Sequence, residues 1–147
     1  MTSQKAMPRG IRLNNPGNID RNATAWQGES TLQDDPRFVR FDHPRDGLRA
    51  LMKTLLAYQD KHDLHTVDQM ISRWAPPNEN DTKAYRQAVA NHLGINEDTP
   101  VDLRNPFMLI KFAQAIAIHE NGRPAQGIPD YWYDAGVYQD AARLALT

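Results

Sequence analysis

The sequence predicts a mainly α fold of the α+β kind, with a small β region near the N-terminus followed by about five helices. Three observations carry this prediction. Turn-forming residues are dense between positions 10 and 43, where apolar residues come in short runs. From position 44 onward apolar residues recur at helical spacing. The helical stretches are bounded by start and stop residues with a physical reason to be there, among them Thr66, Gly94 and the pair Asn105-Pro106.

In chain order, residues 1–9 read as a disordered leader and residues 10–147 as one domain. In Asn14-Asn15-Pro16-Gly17 the proline presets φ and the glycine tolerates positive φ, so the segment reads as a rigid turn. Residues 18–43 read as an irregular β region. Its best strand is Phe38-Val39-Arg40-Phe41, after a turn at Asp34-Asp35-Pro36. A helix opens at Pro44 and runs to about Lys61, with an apolar stripe of Leu48, Leu51, Met52, Leu55, Leu56 and Tyr58. Thr66 with Gln69 forms a capping box for a second helix, which Pro76-Pro77 ends. A third helix spans about Thr82 to Leu93, closed by Gly94. Asn105 and Pro106 serve as N-cap and first residue of a fourth, the most apolar, stopped by Asn121-Gly122. A last helix runs from about Asp134 to Leu146 after an aromatic-rich loop.

The composition removes several function classes. The chain has 147 residues and no cysteine, which excludes disulfides, thiol catalysis and Cys-ligated zinc or iron–sulfur clusters. A core of this size is self-sufficient, and a monomer is expected. Seventeen basic against 18 acidic residues argue against a dedicated nucleic-acid binder. Mean hydropathy is -0.69, and the longest apolar stretch, Phe112 to Ile118, is far too short to span a bilayer, so no membrane insertion is expected. The N-terminal residues lack the apolar core of a secretory signal. His62 and His65 have metal-ligand spacing but no third ligand, and there is neither a phosphate-binding glycine loop nor a nucleophile elbow, so no metal and no cofactor is expected.

Three segments could carry chemistry. The first is His119-Glu120-Asn121-Gly122. Glu120 falls on the last turn of the most apolar helix, where the helix dipole and a neighbouring core both disfavour a carboxylate. That setting suits a general acid; a solvated Glu at a frayed helix end is the plainer alternative. The second is the turn with Asn14, Asn15 and Asn18, whose amides match sugar hydroxyl and acetamido groups, although an ordinary turn explains it no less well. The third runs from Trp74 through Asn80, Asp81 and Thr82 to Tyr85, a polar loop beside aromatic rings, a combination that suits carbohydrate. Core packing for Trp74 and helix capping by Asn80 or Asp81 account for part of that pattern.

Taken together, the segments Arg9 to Ile19, Trp26 to Gly28, Arg37 to Phe41, Gly47 to Leu51, Ser72 to Tyr85 and His119 to Gly122 resemble a family of small phage and prophage proteins labelled as virion structural proteins. The likeness covers about residues 9–146. A second resemblance bears on chemistry. Asn14 to Ile19, Trp26-x-Gly28 and Phe38-x-x-Phe41 are similar to the segment that follows the catalytic Glu in glucosaminidases and lytic transglycosylases of the lysozyme superfamily, and Trp74 to Tyr85 is similar to a stretch whose Tyr faces their sugar cleft. In those enzymes the helix ending in the Glu comes first. Only 13 residues precede Asn14 here, so the resemblance implies a circularly permuted lysozyme-like fold, its Glu helix moved to the C-terminal side and ending at Glu120.

The same resemblance implies a peptidoglycan-degrading glycosidase, a muramidase or lytic transglycosylase, cleaving the bond between N-acetylmuramic acid and N-acetylglucosamine. Glu120 would be the acid, assisted by Tyr85. Asn14, Asn15, Asn18, Asn80, Thr82 and His119 would hold the sugars, with Trp26 or Trp74 as an apolar wall. The sequence departs from the hydrolase pattern in marking no second carboxylate: Asp34, Asp35 or Glu29 could face Glu120, and if none does a lytic transglycosylase is favoured. The expected partner is the glycan strand, not nucleic acid. The expected place of action is the periplasmic peptidoglycan, reached from the host cytoplasm through a holin or carried in by a virion. A virion protein that binds peptidoglycan without cutting it is the alternative.

Overall fold

The computed structural model describes residues 7–77 and 81–147. Among the described residues six helices follow in order: α1 (Arg9–Arg12), α2 (Pro44–His62), α3 (Val67–Trp74), α4 (Thr82–Leu93), α5 (Pro106–Asn121) and α6 (Ala135–Ala145). The five long helices start and stop within a residue or two of the positions their cap residues predict. Thr66 accepts from the Gln69 N–H while the Gln69 side chain returns to the Thr66 N–H, a complete capping box. Gly94 closes α4 in the left-handed region at φ 72°. Asn105 accepts from the Phe107 N–H at 3.0 Å, ahead of Pro106 at the first helical position.

The apolar stripes explain the packing. Leu48, Leu51, Met52, Leu55 and Leu56 are buried along α2, which lies against α6. The central position falls to α5, which touches α4, α6, α2 and α1. Its buried residues Ala113, Ala115 and Ala117 let neighbouring backbones approach, while Leu109, Phe112 and Ile116 fill the space between them. No helix among the described residues is long and apolar enough to cross a membrane.

The N-terminal third departs from expectation in two ways. Of the expected leader, residues 1–6 lie outside the described residues; Arg9 does not belong to it but opens α1. Its guanidinium grips Asp35 through two bonds of 2.8 and 2.6 Å and lies over the Phe38 ring. The expected strand at 38–41 is likewise absent. Residues 18–43 contain only two isolated bridges, Asp20 with Phe38 and Glu29 with Phe41. Scattered backbone bonds, such as those from the Val39 N–H to the Ile19 carbonyl and from the Phe41 N–H to the Leu13 carbonyl, share the place of a sheet ladder with side chains. Gln33 donates to the Arg40 carbonyl and accepts from the Arg40 N–H. Asn15 donates to the Val39 carbonyl. Asp35 accepts from the Arg37 and Phe38 N–H groups. With these backbone groups satisfied one by one, Phe38, Val39 and Phe41 are buried without a paired strand.

This irregular segment is pressed against the start of α2. A Cβ added to Gly47 would lie 1.8 Å from the Asn14 carbonyl oxygen, so only glycine permits the contact. The turn at 14–18 is thereby fixed between α2 and the end of α5.

Candidate functional site

Glu120 stands on the last turn of α5, half-buried, and both of its oxygens are held. Tyr85, in the first turn of α4, donates its hydroxyl to Oε2 at 2.7 Å. Asn18 donates its carboxamide to Oε1 at 3.0 Å across 102 positions of sequence. The Tyr85 hydroxyl in turn accepts from the Trp74 indole N–H at 3.1 Å. The His119 ring stacks on the Tyr85 ring with centroids 3.8 Å apart. Tyr85 is almost fully enclosed; burial, and then the charge of Glu120 beside it, push its pKa well above that of a free phenol. Its hydroxyl therefore keeps its proton, and stays a donor, through neutral pH.

Local structure sets the Asn18 side chain in place. Asn18 has left-handed backbone (φ 51°), a conformation its short polar side chain tolerates. Next to it Asn121 donates to the Pro16 and Ala117 carbonyls at 2.8 and 2.9 Å, tying the 14–18 turn to the end of α5. The two carboxamide oxygens close on Gly10 of α1, where an added Cβ would fall 2.4 Å from Asn18 Oδ1 and 2.8 Å from Asn121 Oδ1. The N-terminal segment 10–18 and the end of α5, about a hundred residues apart in sequence, thus converge behind the carboxylate.

In front of it opens a cleft of ≈ 690 Å³. Its irregular side carries Asn18, Asp20, Trp26, Arg37 and Phe38; its helical side carries Thr54 and Tyr58 of α2, Trp74 of α3 and Glu120. Aromatic faces beside open polar groups suit a carbohydrate chain. Among the described residues no group of three or more His, Asp or Glu could hold a metal ion.

The residues expected at the site separate into two sets. Glu120, Tyr85, Asn18, Trp74 and His119 are brought together as a connected cluster, and Trp26 lines the cleft. The others serve the fold. Asn14, also left-handed (φ 54°), donates to the Phe41 and Asp42 carbonyls. Asn15 is fully buried and bonded through both ends of its carboxamide. Thr82 is buried and donates to the Ala75 carbonyl. Asn80 lies outside the described residues.

None of the carboxylates expected opposite Glu120 lines the cleft. Asp34 is paired with Arg40 and Asp35 with Arg9; each arginine holds its partner's carboxyl below the usual carboxylate range, with backbone N–H groups assisting at Asp35. Glu29 accepts from the Trp26 N–H and fixes the turn beneath that indole. The carboxylate that does line the cleft is Asp20, bonded to Arg37 at 2.8 Å. Sequence reading missed it, along with Arg37, Thr54 and Tyr58. For Thr54 and Tyr58 a signal existed, since they stand four apart on α2 and break an otherwise aliphatic stripe.

No protein-family model matches the chain. The chain is similar to Protein P5 of Pseudoalteromonas phage PM2, 43% identical over 90 residues that make up 59% of this chain and 56% of that protein. It therefore spans little more than half the length of the relative it matches. The likeness is to a phage protein whose name states no chemistry.

Proposed function

We propose that this chain is a phage lysin of permuted lysozyme-like fold that cleaves the peptidoglycan backbone between N-acetylmuramic acid and N-acetylglucosamine, with Glu120 as general acid. The observation that carries the reading is the Asn18–Glu120–Tyr85 contact at the base of an aromatic-lined cleft. In the lysozyme-superfamily enzymes that the sequence resembles, the turn after the catalytic Glu lines the sugar cleft; here the Asn14 to Ile19 turn meets Glu120 through space rather than through sequence, which suits a permuted chain.

The geometry suits the chemistry. The last helical turn holds the carboxyl between the irregular segment and the helices, where a glycosidic oxygen would enter. Asn18 and Tyr85 are both donors, so they stabilise the carboxylate left when Glu120 gives its proton to the leaving oxygen. They also fix its direction for the second step, in which it takes a proton from water or from the sugar's 6-hydroxyl. Trp26, Tyr58 and Trp74 offer ring faces to the sugars. Delivery through a holin or inside a virion completes the proposal.

A second reading has its own support. Both Glu120 oxygens already accept hydrogen bonds, and Asp20 is engaged with Arg37, an arrangement that also suits a glycan-binding virion protein without catalysis. Digestion of purified sacculi separates the two. Released muropeptides from the wild type and none from Glu120→Gln is the expected result. Anhydro ends would identify a transglycosylase, reducing muramic acid a muramidase. Full activity in the variant removes Glu120 as the acid; sacculus binding with no release by the wild type favours the second reading.

A further inference from the structure

Behind the Tyr85–His119 stack, away from the cleft residues, a second pocket of ≈ 420 Å³ opens between α4, α5 and the loop that follows α5. That volume lies within the range of small-ligand sites. Ala88, Ala115 and Ile118 supply its apolar part, and the Tyr131 ring, tilted against His92 at 5.1 Å, another part. The remaining lining groups are Asn91, His92, His119 and Arg123, every one able to donate a hydrogen bond, and no acidic side chain lines the pocket.

Three of these donors are unused. The Arg123 guanidinium, exposed like Asn91 and His119, has no hydrogen bond and no ion pair among the described residues, so it is open to a ligand from solvent. His119 is engaged only through its ring face, and the Asn91 carboxamide makes no bond. His92 has one ring nitrogen on Gln114 at 2.9 Å. A set of free donors with one permanent positive charge, over a floor of methyl groups and with no acid nearby, is complementary to a monoanion bearing a short aliphatic group.

We propose that this pocket is a second binding site, separate from the cleft, for a carboxylate-terminated acyl amino acid or short peptide with small side chains. Arg123 and Asn91 present planar donor groups that match the plane of a carboxylate, and Ala88, Ala115 and Ile118 receive the aliphatic substituent. A phosphate shares the charge but lacks the apolar part. The site stands whether or not Glu120 is catalytic.

The test is a titration of the folded chain with N-acetyl-D-alanine and N-acetyl-L-alanine, followed through backbone amide resonances. N-acetylalaninamide and inorganic phosphate are the comparison arms. The expected result is saturable shifts at Asn91, His92, His119 and Arg123 with the carboxylate probes, and none with the amide. Affinity should fall at least about tenfold in Arg123→Ala, the scale of one charge-assisted bond. Ala88→Leu, at an exposed position, fills the pocket and should weaken binding with Arg123 intact. Non-saturating shifts, equal binding by Arg123→Ala, or shifts centred on Trp26 and Glu120 would each overturn the site. Tighter binding of inorganic phosphate than of either carboxylate would overturn the ligand class.

Discussion

Replacing Tyr85 by Phe removes a single oxygen and, with it, two hydrogen bonds: the one donated to Glu120 at 2.7 Å and the one accepted from Trp74 at 3.1 Å. A bond to a charged group contributes about 1.5–3 kcal/mol and a neutral one about 0.5–1.5 kcal/mol. Glu120 and Trp74 are half-buried, so water regains part of each bond in the variant, and the lower half of the combined range applies, about 2–3 kcal/mol. For a chain of this length that lowers Tm by roughly 4–12 °C. Trp74→Phe removes only the weaker bond and should cost about 1 kcal/mol for it, apart from lost ring area. Denaturant unfolding of the wild type, Tyr85→Phe, Glu120→Ala and the double variant closes a cycle that isolates the contact. Its coupling should be about 1 kcal/mol or more, since the two groups touch directly. Sacculus clearing should fall further in Tyr85→Phe than in Trp74→Phe. If the single variants add to within about 0.3 kcal/mol, or Tyr85→Phe unfolds like the wild type, the contact does not hold Glu120 and the reasoning fails.

Gly47→Ala should destabilise by at least about 3 kcal/mol, because its Cβ meets a backbone oxygen that cannot yield, whereas Gly136→Ala, with open space around it, should stabilise by roughly 0.5 kcal/mol; equal melting of the two would contradict the packing of the 14–18 turn on α2. Burial raises the pKa values of Tyr85, Tyr133 and Tyr138 above that of a free phenol. The stability they contribute is complete below about pH 10 and declines above it, as the unfolded chain ionises while the folded hydroxyls keep their protons. Urea midpoints between pH 8 and 11 should therefore fall in the wild type and fall less steeply in Tyr138→Phe; a flat wild-type profile would count against the burial. Asp35 has the opposite sign: its carboxyl is held low by Arg9, so its contribution is present above about pH 4 and lost as the pH drops below. Asp35→Asn should unfold more easily at pH 7 and show a shallower acid limb, and an acid profile identical to the wild type's would refute the clamp.

The helices were legible because each end has a local cause. Thr66 with Gln69, Asn105 with Pro106, and Gly94 act through backbone groups a few residues away, so sequence alone contains the whole interaction. The N-terminal third was not legible, because its backbone bonds close between distant positions, on side chains as with Asn14 and Asp42 or on lone backbone partners as with Phe41 and Leu13. The apolar residues at 38, 39 and 41 signal burial, and a ladder is only one way to achieve it. The site divides in the same manner. Glu120 and Tyr85 could be found because an acid ending an apolar helix and a phenol beside a polar loop are unusual in themselves. Asn14, Asn15 and Thr82 were placed among the sugar-binding groups because an amide or hydroxyl that caps a backbone looks, in sequence, like one that faces a ligand. Asp20 carried no mark, since what distinguishes it is the cleft on which it lies.

The bond from Asn18 to Glu120, and that from Asn121 to Pro16, each join positions more than a hundred residues apart. At synthesis rates of about 5–20 residues per second, roughly 5–20 s pass between the making of one partner and the other. During that interval the 10–43 segment has neither the end of α5 to lean on nor a ladder of its own. The cleft therefore cannot be completed until the end of α5 has been made and has met the 14–18 turn.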